Sequence, residues 1–318
     1  MFIEETHTTN WENPQEFRYT DCRQDEQKRG LSVKAKPISL ILQDSREKSY
    51  LFNLMDTPGH PNFCDEISAS FRLCDGVAII VDIVEGIQLH TEKIILSAIK
   101  ENLDVILCIN KIDRIILELR LPPTDAYFKI KQITDEFNRI VSENIQFSSQ
   151  PDKNYFVSPE AGNVIFSSGL YGVIFSLDSF ARKYFVLNKS IEKIDYENNE
   201  KIKNFAKLLW GDIYFDKKTR KFSKNPTGDE NSQRTFVEFI LEPLYKIMGY
   251  TISEEKDSLK EIINKLGIDL RLSEYKLDPK PLLKLVCGKF LGHFNAFVDT
   301  ILNKVVDSRK GSIIKVII

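Results

Sequence analysis

A doubly wound α/β fold is what this sequence predicts, and three observations predict it. The first is a set of five short β-rich runs: KPISLIL (36–42), YLFNLMD (50–56), GVAIIVD (76–82), DVILCIN (104–110) and NVIFSS (163–168). The last four are nearly continuous in apolar residues, which suits strands covered on both faces of a parallel sheet. The second is apolar residues at helical spacing between the runs. Phe63, Ile67, Phe71 and Cys74 form one stripe, and Leu89, Ile95, Leu96 and Ile99 a second. Ile130, Ile133, Phe137, Ile140 and Val141 form a third, just after Pro122–Pro123, where a helix readily starts. The third observation is order: from Leu54 onward strand and helix alternate, the pattern of a parallel sheet with helices on both faces.

Beyond residue 187 the composition shifts. NKSIEKIDYENNEKIKN is polar and charged, a solvated helix or a loop. KLLWGDIYFDKKTRKFSK carries aromatic residues at near-alternate positions, consistent with a hairpin turning at Asp216–Thr219, and Trp210–Phe222 reads as core rather than interface. Phe236, Phe239, Ile240, Leu244 and Ile247 mark a helix with Pro243 inside it, expected to kink or to sit near a turn. Two short helices follow in DPKPLLKLVCGKFLGHFNAFVDTILNKV. The expected boundaries are a first domain at 1–187, an inserted α+β subdomain at 188–276 and a return to the first domain at 277–305, with 306–318 left as a linker.

Composition excludes several classes. The 44 basic side chains nearly balance the 46 acidic ones, so no global electrostatic argument favours nucleic acid. The five cysteines are scattered, with no pair spaced like a metal knuckle, as in a reducing compartment. The longest apolar run, GVAIIVDIV, is interrupted by Asp82 and too short to cross a bilayer. The N-terminal MFIEETHTTNWENPQ has polar and acidic residues where a signal peptide is apolar. The chain reads as soluble and intracellular.

Ligands of doubly wound sheets bind beyond the carboxyl ends of the strands. Three motifs stand there: DTPGH (56–60) after the second run, NKID (110–113) after the fourth and SSG (167–169) after the fifth. Each has a bland reading. DTPGH is also a good surface turn, Asn110 a helix cap, and Asp113 with Arg114 a surface ion pair. A four-residue pattern with one free position is weak evidence. The ordered set, each member after a strand, is much stronger.

That set resembles the GTP-binding domain of translation-type GTPases. The resemblance implies a P-loop-GTPase-like, mostly parallel sheet that binds GTP or GDP with Mg²⁺. It implies that Asp113 accepts the guanine edge donors, Asn110 braces the loop and the Lys111 stem lies over the base. Ser167, Ser168 and Gly169 would bring backbone amides to the guanine carbonyl. Asp56 would hold Mg²⁺, the Gly59 amide would sense the γ-phosphate, and His60 would position the attacking water. RYTDCRQDEQKRGLSVKA (18–35) resembles the first switch of the elongation factor 2 group, with Ser32 where a threonine usually ligates Mg²⁺. Pro61 after the histidine is a second departure and stiffens the start of the second switch.

The segments NKIDRIILELRLPPTDAYFKI, LWGDIYFDKKTRKFSK and SQRTFVEFILEPLYKI are similar to the spliceosomal elongation factor 2-like GTPases of the U5 small nuclear ribonucleoprotein. The resemblance spans nearly the whole chain and weakens in 1–17, 188–204 and the last dozen residues. It implies a switch protein of pre-mRNA splicing in the nucleus, acting in spliceosome activation and disassembly. Its partners would be a large RNA helicase, a large scaffold protein and U5 small nuclear RNA. A ribosomal translocase fragment and a non-hydrolysing scaffold on the same fold are the alternative readings.

A P-loop reads G-x-x-x-x-G-K-[ST]. Here the Gly-Lys pair is Gly288–Lys289, followed by Phe290, with Leu283 where the first glycine belongs. The family's P-loop and first strand are therefore expected upstream, and its β-barrel domain beyond 306–318. Most of the charge of GTP is on its phosphates, which P-loop amides and lysine neutralise. By itself the chain is expected neither to hold nor to hydrolyse GTP. Titration with a fluorescent GTP analogue should show no saturable binding at micromolar concentration, and micromolar affinity would overturn this.

Overall fold

The computed structural model describes residues 19–317 apart from 149, 151–152, 188–195, 217–218, 227–232, 254–258, 261–262, 264–267, 269, 272 and 293. Expectations for residues 1–18, for 188–195 and for the tip at 217–218 lie outside the described residues.

Strands β1 (Lys36–Gln43) and β2 (Ser49–Asp56) form an antiparallel hairpin, with Lys36 opposite Asp56. Strands β3 (Gly76–Asp82), β4 (Asp104–Asn110), β5 (Val164–Ser168) and β6 (Val173–Phe175) form one sheet in that order. Its first two ladders are parallel and the β5–β6 ladder is antiparallel. The short pair β7 (Tyr214–Asp216) and β8 (Lys221–Ser223) is the hairpin expected around Asp216–Thr219.

The apolar runs of β4 and β5 are continuous because both faces are covered, whereas β3, contrary to the expectation for its run, is enclosed on one face only, with Ile80 64 % exposed. Ile79, Val81, Leu107, Ile109, Val164 and Phe166 enter one core with the helices Leu89–Lys100 and Pro123–Asn144. The residues between them, Ile106, Cys108 and Ile165, enter a second core against Ala296 and Phe297 of the helix Asn295–Lys304. Helix Cys64–Leu73 packs at the edge, Ile67 and Phe71 meeting Ala98 and Leu103.

The expectation for the second run is also corrected. The second run was predicted to be a parallel strand covered on both faces, yet β2 pairs antiparallel with β1, and no ladder among the described residues joins it to β3. Only alternate residues are enclosed: Phe52 is buried whereas Leu51 is 66 % exposed. The tight turn is the reason. The buried carboxylate of Asp44 accepts the N–H groups of Arg46 and Lys48 at 2.8 and 2.9 Å, reversing the chain within a few residues. Leu40, Leu42 and Phe52 then meet Val298, so the helix Asn295–Lys304 bridges hairpin and sheet. Strand β6 was not anticipated.

The region after residue 196 shares the first core. The Trp210 ring lies 5.2 Å from that of Tyr127 and 4.9 Å from that of Phe236. Phe215 and Phe222 pack on Phe239 and each other. The last segment is helical at Ser308–Ile317.

Pro243 is accommodated by a widened π-type turn, Val237–Leu241, ahead of the helix Glu242–Ser253. Proline has no N–H to give the carbonyl four residues before it, that of Phe239. The Tyr184 hydroxyl donates to that carbonyl instead, at 2.7 Å. Tyr184→Phe is therefore expected to destabilise the fold by about 1–3 kcal/mol, the cost of a buried acceptor left unpaired. Pro243→Ala restores a competing N–H, so the cost of Tyr184→Phe should shrink in that background. A double-mutant cycle by chemical denaturation reads the difference, and additive effects would count against this account.

Candidate functional site

The carboxyl ends of three neighbouring strands meet at one edge of the sheet. Asp82 ends β3 opposite Asn110, which ends β4, and β5 ends beside them at Ser168. The Asn110 side chain joins two of the motifs, its Oδ1 accepting the Ser167 hydroxyl at 3.0 Å and the Gly169 N–H at 3.2 Å. Below it Ser167 Oγ meets the buried Cys108 thiol at 3.2 Å. Burial pushes that thiol up to about 11, so it stays neutral beneath the loop.

Lys111 has φ of +64°, a left-handed conformation that bends the chain as it leaves β4. The bend brings Asp113 inward, where it is 5 % exposed and its Oδ1 is buried without a hydrogen-bond partner. A buried carboxylate oxygen in that state calls for a donor. Guanine presents neighbouring N–H donors on one edge, so the donor set fits.

Two cations flank this carboxylate, and both are held by Asp82. Lys111 Nζ and Arg114 Nη1 each lie 2.9 Å from Asp82 Oδ2, while the Val84 N–H donates to Oδ1 at 2.9 Å. Arg114 Nε also donates to Glu118 at 3.0 Å. Sequence reasoning had used Asp82 only as an interruption of an apolar run. That interruption was the visible signal, because a lone carboxylate in such a run needs a partner.

The second group of expected residues lies on the hairpin and the segments around it. Asp56 ends β2 and is exposed, as are Gly59 and His60. His60 Nδ1 accepts the Asn62 N–H at 3.2 Å across the turn Pro61–Phe63. In this contact Nδ1 is the acceptor, which leaves Nε2 as the N–H donor of the ring. In the segment 18–35 the Ser32 hydroxyl donates to Asp21 Oδ1 at 2.7 Å. Fully buried Glu26 accepts the N–H groups of Arg23, Val33 and Lys34 at 3.1, 2.9 and 3.0 Å, curling the segment around itself. Sequence reasoning missed Glu26, since nothing in QDEQKR marks which acid turns inward. No hydrogen bond among the described residues links Asp56, Gly59 or His60 to Asn110, Asp113 or Gly169. The structure thus holds two groups of expected residues, one at Asn110–Asp113 with Ser167–Gly169 and one at Ser32 and Asp56–His60.

Burial pushes the Asp82 carboxyl up, but Lys111, the Val84 N–H and Arg114 outweigh it and leave it below its ordinary value. A depressed carboxyl stabilises the fold above its unfolded value, about 4, and that contribution is lost as pH falls through the folded value. The stability gap between the wild type and Asp82→Asn should be constant near neutrality and narrow below about pH 4. Denaturation at a series of pH values reads it, and a gap that widens on acidification would refute the assignment.

The sequence matches the family model described as the elongation factor Tu GTP binding domain over residues 2–265. It is 43 % identical over 99 % of its length to the 110 kDa U5 small nuclear ribonucleoprotein component CLO of Arabidopsis thaliana. The 109 kDa component GFL of the same plant is equally similar over the same share. The pre-mRNA-splicing factor cwf10 of Schizosaccharomyces pombe is 43 % identical over 93 % of the chain. The chain spans 31, 32 and 29 % of these relatives, about a third of their length. A fold that gathers NKID and SSG at one sheet edge, and a family match over most of the sequence, agree: the chain belongs to the elongation factor Tu GTP-binding domain family.

Proposed function

We propose that this chain is the guanine-nucleotide-binding region of a splicing GTPase of the U5 small nuclear ribonucleoprotein, acting in the nucleus as a switch in spliceosome activation and disassembly. The observation that carries the base assignment is the buried Oδ1 of Asp113, unpartnered next to a loop that Asn110 braces. Asp113 accepts the guanine N–H donors, backbone amides around Ser168–Gly169 meet the base carbonyl once the Gly169 N–H leaves Asn110 Oδ1, and Lys111 lies beside the ring. The three relatives, two U5 small nuclear ribonucleoprotein components and a pre-mRNA-splicing factor, support the splicing reading over a ribosomal one. The partners are spliceosomal: a large RNA helicase, a large scaffold protein and U5 small nuclear RNA.

On the switch side Asp56 and Ser32 are hard oxygen donors of the kind Mg²⁺ takes together with water and phosphate oxygens. Among the described residues no cluster of three or more His, Cys, Asp or Glu makes a ready-made cage, so these two residues supply only part of a coordination shell. Ser32 has to leave Asp21 to take part. The Gly59 N–H faces the terminal phosphate. His60 donates its Nε2 N–H to a water oxygen and orients it, a positioning role rather than proton abstraction. The bound Mg²⁺–nucleotide supplies the reacting phosphate and its charge neutralisation.

Base choice is the test. Xanthine replaces the exocyclic amine of guanine with a carbonyl, which suits an amide better than a carboxylate. In a chimaera with a P-loop segment fused ahead of this chain, Asp113→Asn should weaken GTP binding by about 2–4 kcal/mol and favour xanthosine triphosphate. Competition between the two nucleotides reads the outcome, and unchanged preference for GTP would remove Asp113 from the site.

A further inference from the structure

The helix after DTPGH reaches across to the first switch through one side chain. Glu66 lies in the first turn of Cys64–Leu73, six residues after His60. Its Oε1 takes the Lys34 ammonium, and its Oε2 accepts the Ala35 N–H at 3.1 Å. The carboxyl is held below its ordinary value, by Lys34 first and then by the Ala35 N–H.

An exposed ion pair alone contributes little. This contact differs in two ways. The Glu66 side chain is only 20 % exposed, and its second oxygen holds a backbone group, which fixes chain position rather than a mobile ammonium. A carboxylate in a first helical turn is also favoured by the helix dipole. On its other side the same stretch is gripped by Glu26, which takes the Val33 and Lys34 N–H groups. Ser32 immediately precedes these residues, and β1 begins at Lys36, opposite Asp56.

We infer that Glu66 is a positioning residue that couples the two switch segments, so that movement of the DTPGH turn is carried through Lys34 and Ala35 to the Ser32 hydroxyl. The inference rests on the reading of 21–35 and 56–66 as nucleotide switches. Its test uses no nucleotide, so its failure is distinguishable from a failure of that reading, which the base-choice experiment decides.

The two halves of the contact separate by substitution in the purified chain. Glu66→Gln keeps an oxygen for the Ala35 N–H but gives up the charge on Lys34, whereas Glu66→Ala loses both. Acylation of Lys34 should accelerate in both variants. Hydrogen exchange at the Ala35 amide should accelerate about three- to tenfold in Glu66→Ala, the range for one net hydrogen bond, and little in Glu66→Gln. Exchange in β4 should not change in either. Coupling is read by adding Pro61→Gly, which loosens the turn ahead of the helix. With Glu66 present it should accelerate Ala35 exchange further, and in Glu66→Ala it should add nothing. Unchanged Ala35 exchange in Glu66→Ala, acceleration that spreads equally into β4, or additive effects of Pro61→Gly and Glu66→Ala would each overturn the inference.

Discussion

Burial of β4 on both faces is the constraint from which the rest of the structure follows. Leu107 and Ile109 face one core and Ile106 and Cys108 the other, so the middle of the strand meets no water. A strand enclosed in this way has room for polar side chains only at its ends. At the amino end Asp104 takes Lys153 Nζ at 2.6 Å and the Val306 N–H at 2.9 Å, tying a loop and the C-terminal segment to the base of the sheet. At the carboxyl end Asn110 ties the NKID loop to SSG. One apolar strand therefore fixes both the edge where NKID meets SSG and the point where the chain leaves the sheet.

Buried acceptors then shape the loops that the sheet leaves free. Glu26 gathers three backbone N–H groups, Asp44 two with the Arg46 guanidinium, and Asp82 one with two cations. In each the cost of taking a carboxylate from water is offset by charge-assisted hydrogen bonds. Asp113 breaks this pattern. It is 5 % exposed, yet its Oδ1 has no partner, a deficit of roughly 1–3 kcal/mol that the guanine donors proposed above would remove.

Periodicity made the main sheet and its helices legible, because double burial writes itself as unbroken apolar runs and single burial as a 3.6-residue stripe. It misassigned YLFNLMD, since a run that looks continuous in Tyr, Leu, Phe and Met is exposed on one face once Asp44 has closed the turn. Strand β6 escaped notice because three residues are too few for any period to show. The residues proposed to meet the base stand out in the sequence because their motifs are local: Asn110, Lys111 and Asp113 lie within four positions of the chain. The contacts of Ser32 and Lys34 were not. Asp21 is 11 positions from Ser32, and Glu66 is 32 from Lys34, so these pairings depend on tertiary geometry that spacing does not encode.

The two halves of the candidate site are built to different degrees of stiffness, and chemistry explains the difference. The base half rests on strand ends inside the sheet, with Ser167, Ser168 and Asp113 buried, so its acceptor is placed before any ligand arrives and binding loses little ordering entropy there. The switch half sits on a hairpin, a short turn and the Glu26 curl. Asp56, Gly59 and His60 are exposed, and the Ser32 hydroxyl is occupied by Asp21 rather than left open. A hydroxyl stored in this way can be exchanged: leaving Asp21 costs about one net hydrogen bond, and a hard cation with its ligands can supply more than that. In the proposed function a rigid base half and an exchangeable switch half would let the domain keep hold of its base while the segments facing the phosphates change partners. The Glu66 contact with Lys34 and the Ala35 N–H lies in this second half, where it holds the backbone of one segment against the helix that follows the other.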